Sequence, residues 1–223
     1  MFDREEKLIG RDNLNEISKK CVVVVGLGGV GGYAVESLVR SGIGKIILVD
    51  YDTIDLTNLN RQIITNQNNI GKYKTDEMAD RIKSICPNCQ VIKFTKRLEL
   101  NNIDELFLYS FDYLIDACDT VIIKQELIRK CLEKSIKFIS SMGTGNKLEP
   151  SLLEVTDIRN TSYDPIAKRI RKYLKENHIY GKVFVVYSKE KRDKFEGSIP
   201  SMMFVPATSG LLCANFVIKD IIS

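Results

Sequence analysis

A glycine-rich turn between an apolar strand and a helix restricts this chain more than any other feature. The run Cys21–Val25 (CVVVV) leads directly into Gly26–Gly32 (GLGGVGG), and a helical pattern follows. Because glycine lacks a Cβ, the backbone N–H groups of such a loop can approach an anion, and the helix dipole favours negative charge there. The arrangement predicts a phosphate-binding site, and a tight turn without a ligand is the less favoured interpretation.

The glycines alone do not identify the nucleotide. Gly26-x-Gly28-x-x-Gly31 fits the dinucleotide fingerprint, and Asp50 follows about 20 residues later at the end of a second apolar strand. On this evidence alone, an NAD-dependent dehydrogenase would be the expected function. The identity of the nucleotide therefore has to come from other residues.

Strands and helices alternate through the first 140 residues, which predicts a Rossmann-like, doubly wound α/β fold with a mostly parallel sheet. The ligands of such sheets bind at the carboxyl ends of the strands. After Pro150 the pattern changes, which indicates a C-terminal substrate-binding extension. The predicted strands are 21–25, 45–49, 91–94, 113–116, 138–140 and 183–187, and the predicted helices are 75–85, 120–134, 164–176 and 207–222.

Composition supports a single globular domain without a membrane span. The chain has 223 residues, 44% of them hydrophobic, and a formal net charge of +4. Its start has no apolar signal segment, so a cytoplasmic protein is expected. The longest apolar stretch, 202–218, is shorter than the roughly 20 residues of a membrane span and contains polar residues. It is expected to be a buried helix or part of a dimer interface.

The cysteine pattern does not favour metal or disulfide chemistry. Reduced thiols are expected in the cytoplasm. Cys86 and Cys89 have metal-ligand spacing, but neither a second CxxC pair nor a histidine cluster exists to complete a zinc site. The cysteines in apolar segments are expected to be small core residues; they are Cys21, Cys118, Cys131 and Cys213.

Two cations distinguish a triphosphate from a dinucleotide. Arg61 and Lys74 lie in the segment that follows the second strand, and a guanidinium and an ammonium directed at one rim imply a longer polyanion. Taken singly, each could be a solvated surface charge. Asp116 and Asp119 end the fourth strand at the same rim, where carboxylates beside a triphosphate are natural Mg²⁺ ligands. Asp119 could also cap the helix that follows.

These motifs together resemble the adenylating fold of the ThiF, MoeB and ubiquitin-activating superfamily. The resemblance implies a homodimer that binds ATP and Mg²⁺, within one domain made of a nucleotide-binding core (1–145) and a substrate-binding and dimer extension (146–223). Arg61, Lys74, Asp119 and Arg4 are the implied catalytic residues, with Arg4 acting in the partner's site and Asp119 binding Mg²⁺. The implied ATP-binding residues are Gly26, Gly28, Gly29, Gly31, Asp50, Asp52, Asn58, Arg61 and Lys74.

Further stretches resemble one branch of that superfamily, which cyclises threonylcarbamoyladenosine in tRNA. They are Phe2-Asp3-Arg4-x-x-x-Leu8-Ile9-Gly10, Ser141-Met142-Gly143-Thr144-Gly145, Asp164-Pro165-Ile166-Ala167-Lys168, and Gly197-Ser198 leading to Val205-Pro206-x-x-x-Gly210. The branch activates the substrate carboxylate as an acyl-adenylate, and the carbamoyl group of the same substrate then expels AMP. Such intramolecular attack needs no enzyme nucleophile.

Three alternatives stay open from the sequence. Adenylation of a ubiquitin-like sulfur carrier is the first, although no cysteine lies between Met142 and Met203, where a thioester nucleophile would be sought. A nucleotide-sensing scaffold without turnover is the second, and a dehydrogenase is the third. A sulfur-transfer or redox partner protein is compatible with the first of these and with the tRNA enzyme.

A basic stripe on the predicted helix 164–176 is the candidate tRNA site. Lys168, Arg171, Lys172 and Lys175 recur at helical spacing, opposite apolar residues that should face the core. A basic stripe is usually a solvated face. Further cations follow it, so contact with RNA phosphates is favoured, and DNA is not expected. They are Lys189, Lys191, Arg192 and Lys194.

Overall fold

The computed structural model of the chain describes residues 1–191, 195–197 and 199–223, and these form one seven-stranded sheet with helices on both faces. The strand order is β3-β2-β1-β4-β5-β7-β6, and only the edge strand β6 is antiparallel to its neighbour. The strands are β1 Cys21–Val25, β2 Lys45–Val49, β3 Gln90–Phe94, β4 Tyr113–Asp116, β5 Lys137–Ser141, β6 Leu153–Asp157 and β7 Phe184–Ser188.

The helices predicted from the sequence are confirmed, and the structure adds others. The elements not predicted are the two N-terminal helices, the short α5 and the strand β6; α1, α5 and β6 have only four to seven residues each, and α2 has nine. The helices are α1 Asp3–Ile9, α2 Arg11–Lys19, α3 Gly31–Arg40, α4 Lys74–Ile85, α5 Ile103–Leu106, α6 Val121–Glu133, α7 Pro165–Glu176 and α8 Phe204–Ile221.

The continuous apolar sequence of β1 follows from its central position. All five of its residues are buried, because β2 and β4 flank it and helices cover both faces of the sheet. From β1 the chain builds outward through β2 to β3, and then returns to build β4, β5 and β7 on the other side. The carboxyl ends of β1 and β4 therefore form the topological switch point, where ligands of such sheets bind.

The last helix, α8, packs directly on α3 and the sheet. A Cβ on Gly210 would lie 2.2 Å from the Val30 carbonyl oxygen, so only glycine allows this approach. The helix begins at Phe204, three residues earlier than the sequence suggested, with Pro206 in its first turn, where backbone N–H groups have no intrahelical partner. With this longer span, α8 could cross a bilayer by length and composition alone. Its inner residues form part of the core.

Candidate active site

A cavity of about 350 Å³ lies at the switch point and collects most of the predicted site residues. Its lining includes Gly26, Gly28, Gly29, Asp50, Asp52, Asn58, Arg61, Lys74 and Asp119. These residues come from the ends of three strands and from the long connection between β2 and α4. The sheet therefore brings together side chains that are separated by more than ninety positions in the chain.

The glycine loop is shaped by close contacts that exclude side chains. Gly26 has a φ of +87°, and a Cβ there would lie 2.7 Å from the Ala117 carbonyl oxygen. Gly31 does not line the cavity; a Cβ on it would come within 1.7 Å of the Gly26 carbonyl oxygen. Its smallness lets α3 begin directly against the end of β1. The loop thus places backbone N–H groups and a helix N-terminus at the cavity.

Asp50 holds the glycine loop in place. Its Oδ2 accepts a hydrogen bond from the Leu27 N–H at 2.7 Å, and its Oδ1 accepts one from the Asp52 N–H at 2.9 Å. Burial raises the pKa of this carboxyl, and the nearby Lys74 ammonium opposes that effect. Because each carboxylate oxygen has a second lone pair, Asp50 can shape the loop and still accept a hydrogen bond from a ligand.

Lys74 is a buried cation whose ammonium group is positioned by Asp52. Its Nζ lies 2.9 Å from the Asp52 Oδ2, and its side chain is only 7% exposed. The Lys74 N–H also donates to the Asp52 carbonyl oxygen, at 3.0 Å. The pairing holds the ammonium at the cavity before any ligand arrives.

Asn58 ends a capped 3-10 turn at Leu56–Asn58, and Arg61 follows three residues later. The Asn58 Oδ1 accepts from the Asp55 N–H at 3.1 Å, and the Asp55 Oδ1 accepts from the Thr57 N–H at 2.8 Å, which closes a capping box. The Arg61 Nη1 donates to the Thr57 carbonyl oxygen at 2.8 Å and to the Asn60 Oδ1 at 2.9 Å. The guanidinium is thus fixed at the cavity by one of its nitrogens.

The two acidic residues after β4 have different roles, and the prediction of a carboxylate pair for Mg²⁺ is wrong for Asp116. Asp116 is fully buried, lies 3.0 Å from the Lys124 Nζ and accepts a hydrogen bond from the Ser140 Oγ at 2.5 Å. Burial alone would lower the pKa of Lys124, but the Asp116 carboxylate outweighs it and raises that pKa. Asp116 is therefore part of the supporting structure beneath the cavity.

Asp119 is exposed at the cavity wall. Its Oδ1 accepts a hydrogen bond from the Thr120 Oγ1 at 3.2 Å. No side chain caps α6, so the capping role considered for Asp119 is wrong. In the part of the chain that the structure describes, no group of three or more His, Cys, Asp or Glu residues could hold a metal ion. Any cation at this site would share Asp119 with ligand oxygens and water.

Four of the six cysteines are buried, and Cys118 differs from its predicted place. Cys118 lines the cavity instead of lying in the core, and its Sγ donates to the Asp116 Oδ1 at 3.0 Å. Burial, together with the Asp116 charge, raises its pKa well above the ordinary value, so the thiol stays protonated. Cys21, Cys131 and Cys213 are buried, as the sequence predicts.

Arg4 lies away from the cavity of its own chain. It is exposed on α1, and the neighbouring Phe2 ring packs against Gly42, 3.6 Å from the position of a Cβ. Gly42 follows the end of α3, whereas the glycine loop precedes its start, and ten helical residues span about 15 Å. Arg4 does not line the cavity. Arg4 is therefore not part of the cavity of its own chain.

The basic stripe on α7 is only partly a free surface. Lys168, Lys172 and Lys175 are exposed, and the Lys172 Nζ lies 3.7 Å from the Glu176 Oε1. Arg171 is half-buried, and its Nη1 donates to the carbonyl oxygens of Ile158 (3.2 Å) and Thr161 (3.1 Å). This ties α7 to the preceding turn, so Arg171 has a structural role that the spacing did not reveal.

Two further predicted cations of this region, Lys189 and Lys191, also contact other side chains. Lys189 pairs with Glu154, and the Lys191 Nζ lies 5.6 Å from the centroid of the Tyr163 ring. Arg192, Lys194 and Ser198 lie outside the residues that the structure describes. The exposed lysines of α7 are therefore the clearest cationic surface in the extension.

The sequence assigned no individual site role to two groups of cavity residues, although Thr144 and Pro206 lie within stretches quoted above for the family resemblance. Lys96, Arg97 and Leu98 follow β3 directly and could have been found by the rule that strand ends carry the site. Thr144, Ser201 and Pro206 come from the extension and its junction with the core. The Ser201 carbonyl oxygen accepts a hydrogen bond from the Asn60 Nδ2 at 2.9 Å across 141 residues, a contact that no local pattern signals.

Comparison with known proteins agrees with this geometry. Residues 2–192 match the ThiF family. A tRNA threonylcarbamoyladenosine dehydratase of Bacillus subtilis is 37% identical over 239 aligned positions, which cover 99% of this chain and 94% of the relative. The crystal structure of Escherichia coli tRNA N6-threonylcarbamoyladenosine dehydratase with ATP is 33% identical and gives a TM-score of 0.93, covering 99% of this chain and 93% of that one. The complex of the same enzyme with AMP gives 0.91, at 97% and 91% coverage.

Proposed function

This chain belongs to the ThiF family, and we propose that it is an ATP-dependent dehydratase of N6-threonylcarbamoyladenosine in tRNA. The observation that carries the proposal is the agreement over nearly the whole chain with dehydratases, including one solved with ATP and with AMP. The adenylation of a sulfur carrier explains the nucleotide half of the cavity equally well. It does not explain why the extension matches the tRNA enzymes.

The cavity residues fit ATP. The glycine loop and the N-terminus of α3 face the phosphates, and Asp50 has acceptor capacity for the ribose hydroxyls. Lys74 and Arg61 are fixed cations for the phosphate chain. This arrangement stabilises the charge on the departing pyrophosphate without reorganising at the moment of reaction, which is the main source of catalysis in such sites.

The reaction has two steps that need no enzyme nucleophile. In the first, a carboxylate oxygen of the threonyl group attacks the α-phosphorus of ATP, the bond to the β-phosphate oxygen breaks, and pyrophosphate leaves. In the second, the carbamoyl group attacks the activated carbonyl carbon, a carbamoyl N–H proton is lost to solvent, and AMP leaves. The protonated thiol of Cys118 is consistent with this route, because a thiolate nucleophile is not required.

We further propose that Asp119 holds Mg²⁺ together with the ATP phosphates. The fit rests on its exposed carboxylate beside the cationic cavity, since Mg²⁺ is commonly bound by one or two carboxylates plus phosphate oxygens and water. Bound there, the ion would neutralise phosphate charge. Asp116 is excluded from this role by its ion pair with Lys124.

We also propose a cytoplasmic homodimer in which each Arg4 reaches the partner's cavity. The support is the position of Arg4, at the far end of α3 from its own glycine loop. The exposed lysines of α7 would bind tRNA phosphates. A sulfur-transfer or redox partner protein stays a prediction from the resemblance alone.

The test is incubation with ATP, Mg²⁺ and tRNA that carries threonylcarbamoyladenosine. The expected products are AMP, pyrophosphate and a nucleoside that has lost one water, measured by nucleotide chromatography and nucleoside mass spectrometry. ADP and phosphate as products would contradict adenylation. Exchange of pyrophosphate into ATP that depends on a carrier protein, with no change in the tRNA, would instead support the sulfur-carrier function.

A further inference from the structure

The cavity has two halves with different chemistry. On the β1, β2 and β3 side it presents the glycine loop, Asp50, Lys74 and the other groups assigned above to ATP. On the β4 and β5 side it presents Thr120 and Thr144, beside the apolar Ile123. Hydroxyls beside apolar carbon match a neutral side chain that has one hydroxyl and one methyl group.

Thr144 lies on a loop that is fixed where it leaves β5. The Lys124 Nζ donates to the Ser141 carbonyl oxygen at 2.7 Å, and the Ser141 and Ser209 hydroxyls are 2.8 Å apart. The Met142 N–H donates to the Val186 carbonyl oxygen at 2.8 Å. The start of the loop is thus attached to α6, α8 and β7.

Asp164 fixes the middle of the same loop. Asp164 is 3% exposed; one carboxylate oxygen accepts from the Gly143 N–H at 3.0 Å and the other accepts from the Ala167 N–H at 2.8 Å, which caps α7. Thr144 follows Gly143, lines the cavity, and its hydroxyl has no hydrogen bond to any described residue. Thr144 is therefore placed at the cavity by a loop whose preceding residue is hydrogen-bonded to Asp164.

We propose that Thr144 binds the hydroxyethyl side chain of the threonylcarbamoyl group, and that Asp164 is the residue that positions it. This inference rests on the function proposed above. The single carboxylate of Asp164 also joins the Thr144 loop to α7, whose exposed lysines are the candidate tRNA surface. RNA bound on α7 is therefore attached through one residue to the loop that meets its modified base.

The experiment compares two tRNAs with the full-length protein. One carries threonylcarbamoyladenosine, and the other carries the analogue in which glycine replaces threonine, so that the hydroxyethyl group is missing. Thr144→Val keeps the shape and removes the hydroxyl. We expect kcat/KM for the native tRNA to fall about tenfold, the effect of removing one hydrogen bond at a desolvated site, and to change less than about twofold for the analogue. If turnover of the analogue is too slow, its inhibition constant is compared instead.

Controls separate the subsite from general damage. Thr156→Val removes a half-buried hydroxyl on the edge strand β6 and should leave both tRNAs unaffected. Asp164→Asn places an amide against two N–H donors and should reduce the discrimination between the two tRNAs while ATP affinity is kept. Asp157→Asn changes another capping carboxylate in the extension, which caps a 3-10 turn away from this loop, and should leave the discrimination intact.

Each outcome is decisive. An unchanged ratio of the two kcat/KM values in a folded Thr144→Val protein, which includes an equal loss on both tRNAs, would overturn the proposal. If Asp164→Asn does not fold, the Thr144 comparison still decides. A wild-type protein that forms no AMP with either tRNA would refute the proposed function itself, which is a different result from a variant without effect.

Discussion

The first 145 residues and the remaining 78 differ in net charge. Residues 1–145 carry twenty basic and twenty acidic residues, whereas residues 146–223 carry thirteen basic and nine acidic ones, so the whole net charge of +4 lies in the extension. The neutral core nevertheless holds the fixed cations of the cavity. Local placement of single charges thus serves ATP, and a regional excess of charge is available for a larger polyanion.

The two regions also build their parts of the cavity differently. In the core, most partners are close in the chain, as with Lys74 and Asp52, or lie on adjacent strand ends, as with Asp50 and Leu27. The extension reaches the cavity through long-range contacts such as that between Asn60 and Ser201. The two regions therefore contribute to one cavity through contacts of different sequence range.

The largest effect should come from removing charge in the core. Asp119→Ala and Arg61→Ala are each expected to lower turnover by roughly 10² or more, because each removes a preorganised group that stabilises the phosphates. AMP formation in the presence of tRNA measures this loss. Asp76→Ala removes an exposed carboxylate that pairs with Lys93 and should have little effect. Turnover within a few-fold of wild type for Asp119→Ala would place the chemistry elsewhere.

Mixing two inactive variants tests whether Arg4 of one subunit completes the site of its partner. Arg4→Ala and Asp119→Ala should each be inactive alone, and a mixture of the two should regain about a quarter of wild-type activity when subunits exchange randomly. Half of the dimers then combine both chains, and each of these has one intact site. Subunit exchange is verified by mass spectrometry of tagged chains. Proven exchange without any rescue would remove the role of Arg4 in the partner's site.

Charge reversal in the extension should affect RNA and not ATP. Lys168→Glu with Lys172→Glu is expected to weaken tRNA binding and to lower the log-log salt slope by up to about one for each phosphate that a lysine no longer neutralises. Arg171 is left intact because it ties α7 to Ile158 and Thr161. Lys83→Glu with Lys134→Glu changes two exposed lysines of the core as a matched control. Equal salt slopes for both double variants would mean that the charge excess of the extension has no RNA role.

The smallest effect should come from the thiol in the cavity. Cys118→Ser retains a donor for Asp116 and is expected to change kcat by less than about twofold. Burial raises the pKa of Cys118 well above its usual value, so the wild-type thiol stays protonated as pH rises through neutrality. The pH profile of kcat should therefore be the same in both proteins. A limb near neutral pH that disappears in Cys118→Ser would indicate thiolate chemistry.

The sequence predicted the core more completely than the extension. The glycine loop and Asp50 follow strand ends, so the sheet rule places them together, and Arg61 and Lys74 lie in the connection from β2 to α4. The sheet rule does not distinguish the roles of Asp116 and Asp119, because the burial of Asp116 depends on contacts with Lys124 and Ser140 from other elements. The structural role of Arg171 could not be predicted either. Helical spacing gives the helix face on which a residue lies, but not the backbone carbonyl groups that its side chain contacts. The role proposed for Thr144 could not be inferred from the sequence, because it depends on the contact between Asp164 and the Gly143 N–H.

The contact between Gly210 and Val30 has a consequence for the order of synthesis. The ribosome makes α8 after every strand of the sheet, yet α8 closes against the carbonyl group just before α3 and supplies Pro206 to the cavity. A nascent chain that already contains the whole glycine loop therefore lacks one wall of its ATP site. Domains fold as units as they emerge, so the site is completed only once the last helix has left the exit tunnel.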